Sequence, residues 1–470
     1  MPIPRPRPKL MSIGDSLAQG CRSLSVTADY CSQSWPARIA QTQDFEFIVP
    51  DFPRPILYDL EFEVRHFDTA TLDLNKLRFS GIVDRLVTNF RDWRANPSGS
   101  NFPCFDNLAL AGARVYDLYK RSASSSAQEV EEIAAASPLG LPSLAKIGDL
   151  HIAINGRFTL NPGQIAEYAN FTSLDWVEAR LPETLLVQIG HNHGLFGVGF
   201  EGVDQSVTTP GDPTEGDYFD QWATLADRLA KLPGDVKQIV VTTLPKVSAV
   251  ANLRPQTDRR DQGYALSYEP VFIPIARILT EKQLRPRDAS IRAANARIQQ
   301  ILLDAENAAG TGGRIKFLDV YNLLDQIDFK NSLDQALRVR IDPASIIDNR
   351  YLHGGTRFSL PFQLREAIDR GGFNSIDGMH LSGAGYAFFA SEVMKLLGLA
   401  HDRSALLEQG FRQDFLLSEY PVELDILIGF FDALRTLQHV GHTSFQLDSQ
   451  LTNDSHLFSV LQHMAAPFTR

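Results

Sequence analysis

The sequence predicts an α/β fold built on a central, mostly parallel sheet, and two patterns carry that prediction. Short apolar runs at Lys9–Ile13, Asn107–Leu110, Thr184–Ile189, Gln238–Thr243 and Ile315–Val320 mostly lack polar alternation, which is how strands buried on both faces read. Helical periodicity lies between the runs, at Leu174–Leu181, Tyr218–Leu232 and Asp288–Asn307. Strands that alternate with helices form right-handed crossovers onto one sheet. The ligand crevice of such a sheet lies outside the carboxyl ends of its strands.

Each element has a local reason. Lys9–Ile13 stops at Gly14, which feeds a tight turn. In Tyr218–Leu232, Phe219, Trp222, Leu225, Ala226 and Leu229 share one helical face; in Asp288–Asn307, Ile291, Ala294, Ile298, Ile301 and Leu302 do so. A further helix is expected over Gly383–Leu399. Stretches with no clean period read as insertions, at 52–101, 197–216, 253–287 and 321–372. Ser122–Pro138, rich in Ser and Ala, reads as a mobile loop or a weak helix. Long segments of this kind often serve as lids or binding loops, and the apolar stretches Val271–Ile275 and Phe358–Phe362 suit an acyl groove or ordinary core packing equally well. The domain is therefore expected over residues 1–400, followed by a C-terminal helical extension over 401–470. In that extension, Val422–Leu437 reads as an amphipathic helix that packs on the domain or forms a homodimer interface.

Bulk composition narrows the function. Of 470 residues, 44% are hydrophobic and 21% charged, enough to bury a large core. A net charge of -11 argues against a nucleic-acid partner, which needs clustered Lys and Arg. No run approaches the ~20 apolar residues of a membrane helix, and the proline-rich start has no signal-peptide core. The expected compartment is the cytoplasm, or the exterior if a signal precedes this numbering. Three cysteines, Cys21, Cys31 and Cys104, make no disulfide framework, although Cys21 and Cys31 could pair under oxidising conditions.

Four short segments fall at the ends of expected strands or in nearby loops. Ile13-Gly14-Asp15-Ser16-Leu17 follows the first strand, where a serine presents its Oγ at the crevice as a nucleophile must; alone, Asp15 or Ser16 reads as well as a helix N-cap. Asn107 to Arg114 sets Gly112 just past a strand, where backbone can approach a ligand. Leu186 to Gly194 ends a strand in the polar loop Gly190-His191-Asn192-His193, in which Asn192 can donate an amide hydrogen to an oxyanion. His191 and His193 invite a metal reading, but no third ligand stands at a convincing spacing. Ser375 to Ser382 places Asp377 three residues before His380, so that one short turn lets the carboxylate orient the imidazole as a general base.

Taken together, these segments resemble the four blocks of the SGNH hydrolases, also called the GDSL lipase/esterase family, in the expected order: G-D-S-L, a glycine block, G-H-N-H in place of the usual G-x-N-D, and D-x-x-H. Ser34 to Ala40, Val241 to Pro245, and the stretch from Asp377-Gly378 to Gly385-Tyr386 also resemble that family, and the likeness spans roughly residues 9–400. The resemblance implies a three-layer α/β/α fold. It implies Ser16 as nucleophile, His380 as base and Asp377 as its orienter. It also implies an oxyanion hole formed by the N–H groups of Ser16 and Gly112 and the Asn192 side chain, with no metal or organic cofactor. His193 departs from the pattern, standing where the family often has an Asp that supports the loop, and it could instead contact a substrate head group. The expected activity is that of a carboxylesterase, lipase or phospholipase on a small-molecule or lipid ester. An acyltransferase using the same serine and a carbohydrate O-deacetylase are the alternatives. A catalytically silent binding module is the reading from another class; against it stand all four functional positions, intact together.

Overall fold

The computed structural model describes residues 6–65, 79–96, 100, 102–136, 144–193, 216–257, 259–270, 278–342, 345–349, 370–375 and 377–414. Four strands, β1 (Leu10–Gly14), β2 (Thr184–Gln188), β3 (Gln238–Thr242) and β4 (Ile315–Leu318), pair in parallel in that order. Ile13 lies opposite Val187, Leu185 opposite Ile239, and Val241 opposite Phe317. Alternate side chains of these strands enter two separate apolar clusters. Met11, Ile13, Leu185, Val187, Ile239 and Val241 join one; Leu10, Leu186, Val240 and Leu318 join the other. Both faces are therefore buried, which is why the runs show no polar alternation.

The expected strand Asn107–Leu110 is only partly realised. It runs beside β1 as extended chain, with Leu108 N–H donating to Ser12 O and Leu110 N–H to Gly14 O, but it forms only one bridge, between Ser12 and Asn107. Asn107 diverts the local hydrogen bonding: its Oδ1 accepts from Ala109 N–H and its Nδ2 donates to Ala18 O. The chain thus leaves β1, passes along one side of it, and returns on the other side as β2. A reversal of this kind opens a crevice at the carboxyl end of β1.

The helices that matter for the site are α1 (Ser16–Gln19), α2 (Trp35–Thr42), α3 (Phe79–Ala95), α4 (Ala123–Ala135), α5 (Leu144–Thr159), α6 (Ser173–Arg180), α7 (Tyr218–Ala230), α8 (Glu281–Ala308), α9 (Gly383–Leu397) and α10 (Arg403–Gln413). Two differ from expectation. Ser122–Pro138 contains a well-formed helix, α4, opened by a capping box between Ser122 and Ser125 and burying Val130 and Ile133. Its Ser and Ala content, read as weakness, supplies a cap and strong helix formers. Helix α8 begins at Glu281 rather than Asp288, because Gln283 accepts from Thr280 N–H and fixes an earlier start. The aperiodic insertions contain short ribbons: Leu253–Pro255 and Leu279–Thr280 flank Ser267–Pro270, and Ser345–Ile347 pairs with Val339–Asp342 and Arg370–Gly371. Strands of two to four residues are too short to show a period. Positions 194–215, Val271–Ile275, Phe358–Phe362 and Val422–Leu437 lie outside the described residues.

Two packing features tie the ends of the chain to its centre. Trp35, fully buried, donates from Nε1 to Gln188 Oε1 at 2.6 Å and stacks obliquely on Phe389 of α9, joining α2, β2 and α9. Arg22, also buried, pairs with Glu61 at 2.8 Å and with Asp414 at 3.1 Å. The same Asp414 accepts from the N–H groups of Gly383 and Ala384, capping α9 from a distance. Leu406, Leu407 and Phe411 of α10 complete the cluster around α9. No helix among the described residues is long and apolar enough to cross a membrane.

Candidate active site

β1 ends at Gly14, whose φ of +148° and whose approach to β2 exclude a side chain: a Cβ there would stand 2.0 Å from Gln188 O. Asp15 then donates its N–H to Gln188 O, and its carboxylate accepts from Leu17 N–H at 3.2 Å as the cap of α1. The cap is Asp15. Ser16 is left as the first helical residue, 8% exposed, with no hydrogen bond from its Oγ among the described residues.

Gly112 occupies a tight turn after the extended segment beside β1. Its φ is +92°, and the turn closes through Ala113 N–H to Leu110 O at 2.9 Å. Asn192, just past β2, spends one amide hydrogen on Ala113 O at 2.9 Å, which sets its carboxamide alongside that turn. Among the described residues, no acceptor takes the N–H of Ser16 or of Gly112. The ends of β1 and β2 and the turn after the extended segment beside β1 thus lie next to one another, with Ser16, Gly112 and Asn192 at those three places.

The fourth segment completes the arrangement. His380 donates from Nδ1 to Asp377 Oδ2 at 2.6 Å, with the carboxylate wholly buried and the imidazole 14% exposed. The other oxygen, Oδ1, accepts from Met379 N–H, His380 N–H and Ser375 Oγ. The chain leaving α1 reaches over to hold this loop. Ser23 N–H donates to Ser375 Oγ at 2.9 Å and Leu24 N–H to Asp377 Oδ2 at 2.7 Å. Both residues are left-handed, with φ of 52° and 59°. Such strain persists where the surroundings compensate it, often at working sites. On the far side, Gly378 O accepts from Asn252 N–H, and a Cβ at Gly378 would lie 2.6 Å from that nitrogen. Among the described residues no hydrogen bond joins Ser16 Oγ to His380; catalytic contacts of this kind often tighten only around a substrate. The link between them runs through Cys21. Its N–H donates to Ser16 O at 2.9 Å, and its buried thiol lies against the His380 imidazole.

Matched against known family profiles and against curated proteins, this chain finds no counterpart.

The electrostatics follow from burial and pairing. Burial opposes ionisation of Asp377, but the His380 imidazole and the surrounding donors outweigh it and hold the carboxyl below its usual range. Burial likewise opposes the imidazolium of His380; the Asp377 carboxylate that accepts its Nδ1–H outweighs this and raises His380 above an ordinary histidine. Burial raises the thiol of Cys21, keeping it protonated at neutral pH.

The loop histidines take separate partners. His191 donates from Nδ1 to Asp15 Oδ2 at 2.6 Å, bracing the turn that carries Ser16. His193 is buried, donates from Nε2 to Gln221 Oε1 at 2.7 Å, and packs edge-on against Tyr218. In this conformation the His193 side chain is held in the protein interior between Gln221 and Tyr218 and not presented to solvent. Burial pushes its pKa down to about 4, from an ordinary 6.5. Between those values the unfolded chain binds a proton that the folded chain refuses. Stability that is full above pH 6.5 is thus lost as pH falls towards 4, by up to roughly 3 kcal/mol. We expect His193→Gln to flatten the stability–pH curve in that window, measured by urea unfolding at intervals of pH; an unchanged slope would exclude His193 as the titrating group.

Sequence reading missed Ser23, Leu24, Gln19 and Asn155. Ser23 and Leu24 act through backbone N–H groups, which residue type does not advertise. Gln19 and Asn155 are fully buried amides 136 positions apart, joined only by the fold.

Proposed function

We propose that this chain is a serine ester hydrolase of the GDSL type, with the three-layer α/β/α arrangement of the SGNH hydrolases, acting on carboxylic esters of medium-to-long acyl chains. The observation that carries the proposal is the Asp377–His380 pair, locked at 2.6 Å on a loop that is itself bonded to the chain leaving the Ser16 helix. Ser16 Oγ attacks the ester carbonyl carbon while His380 Nε2 takes its proton. The carbonyl oxygen, now an oxyanion, is received by the N–H groups of Ser16 and Gly112 and by the second amide hydrogen of Asn192. Collapse breaks the bond to the alkoxide, which leaves with the proton from His380. Water, activated by the same imidazole, then frees the acyl group from Ser16. Preorganised donors of this kind are each worth about 10²–10³ in kcat.

The test is labelling with a fluorophosphonate, followed by peptide mapping. An adduct on the peptide containing Ser16 supports the proposal. An unlabelled protein, or an adduct on a different serine, removes Ser16 from the role of nucleophile.

A further inference from the structure

The helix pair α4–α5 carries none of the four motif segments, yet α5 reaches the candidate site through Ile152 and Asn155. Ile152 packs over the Gly112 turn, its Cβ 3.5 Å from where a Cβ on Gly112 would stand. Three residues on, and so on the same helical face, Asn155 meets Gln19, the last residue of α1. The two amides join head to tail. Gln19 Nε2 donates to Asn155 Oδ1 and Asn155 Nδ2 donates to Gln19 Oε1, both at 2.8 Å. Thr159 Oγ1 also donates to Asn155 Oδ1, at 2.9 Å, which fixes the way that amide faces. Gln19 Oε1 accepts a second hydrogen bond, from Ala111 N–H at 2.8 Å. Gln19, Asn155 and Thr159 are wholly buried.

The bond from Ala111 matters because Gly112 is the next residue in the chain. The peptide that carries the Gly112 N–H is bracketed by Ala111 N–H, bound to Gln19, and by Ala113 N–H, bound to Leu110 O. Gly112 itself, at a φ of +92°, resists rotation less than any other residue type. An oxyanion donor must stand 2.7–3.1 Å from the developing charge, and a misplacement of about 1 Å can cost about 10²-fold.

We propose that Gln19 and Asn155 are positioning residues that set the Gly112 N–H for oxyanion stabilisation, so that α5 belongs to the catalytic apparatus. The proposal rests on the serine-esterase reading. It explains why two fully buried amides, each costly to desolvate unpaired, are placed between the nucleophile helix and the glycine turn.

The experiment compares the full chain with Gln19→Met, which keeps the length of the side chain and removes the acceptor, and with Asn155→Leu. Hydrolysis of a p-nitrophenyl ester gives kcat and KM. Inhibition by an alkyl trifluoromethyl ketone, which adds to the serine as a tetrahedral oxyanion, reads the donor array directly. We expect Gln19→Met to lower kcat by about 10–100-fold, to weaken the ketone by a like factor, and to leave KM within about twofold. Asn155→Leu should move the same quantities in the same direction, and it carries the test if Gln19→Met fails to fold. Wild-type kcat and ketone affinity in either folded variant would overturn the proposal, as would a loss confined to KM or to melting temperature. A wild-type chain that neither hydrolyses the ester nor binds the ketone would overturn the esterase reading, and this role with it.

Discussion

Ser16→Ala is expected to lower ester hydrolysis by about 10⁴-fold or more while leaving the melting temperature close to that of the wild type. The two halves of the expectation have separate causes. In the proposed mechanism the hydroxyl is the attacking group, and the buried Cys21 thiol, raised by burial, is a poor substitute for it. The hydroxyl also makes no hydrogen bond among the described residues, so its removal orphans no partner. A change that removes one hydroxyl and orphans no partner falls at the small end of the usual range, about 1 kcal/mol or less, and the alanine keeps its own backbone N–H. Initial rates on a p-nitrophenyl ester beside a thermal melt decide the matter. Equal rates in the two proteins would place the nucleophile elsewhere.

Asp377→Asn should cost a comparable factor, about 10⁴ in kcat, and should also change the dependence on pH. The native carboxylate only accepts. Both its oxygens are occupied by donors: His380 Nδ1 and Leu24 N–H on one, Met379 N–H, His380 N–H and Ser375 Oγ on the other. An asparagine must point an NH₂ group at one of these sets: towards His380 it turns the imidazole over or forces the wrong tautomer, and towards the loop N–H groups it disrupts the turn that holds the imidazole. The sign of the pH effect follows from the charge. The base must be neutral to accept the serine proton, so the rate rises as pH climbs through the His380 pKa. The adjacent carboxylate raises that pKa, so the wild-type limb in kcat/KM lies above 6.5, the ordinary value for histidine. Without the negative charge the imidazolium is less favoured, and the limb of the residual activity moves to lower pH. A limb at the same pH in both proteins would mean that His380 is not the group being titrated.

The sheet was legible because its signal is chemical and local. Four of the five apolar runs became strands within a residue or two, since burial on both faces leaves a mark that composition alone records. The fifth, Asn107–Leu110, kept its place beside β1 and lost its regularity to one side chain, Asn107, whose hydrogen bonds depend on Ala18, far off in sequence. The site divided along the same line. Ser16, Asp377 and His380 could be read because reactive side chains at strand ends and in short turns are few. The groups that hold them in place, Leu24 N–H, Gln188 O and the Gln19–Asn155 pair, are backbone atoms or amides in long-range contact. The helix at Ala123–Ala135 was under-read because its stability comes from a Ser122–Ser125 cap and from packing on α5, rather than from a strong apolar stripe.

The reach of Asp414 has a practical corollary for the boundaries of shortened versions of this protein. A stop codon placed directly after α9 would look harmless on a diagram of the fold, since all four motif segments have been passed. It would remove the aspartate that closes the first turn of α9, and it would take a carboxylate partner away from the buried Arg22 guanidinium. Arg22 stands next to Ser23, whose backbone holds the loop of the acid–base pair. Modularity in this chain therefore begins no earlier than residue 415: a tag or fusion that replaces the chain from residue 400 dismantles the charge network.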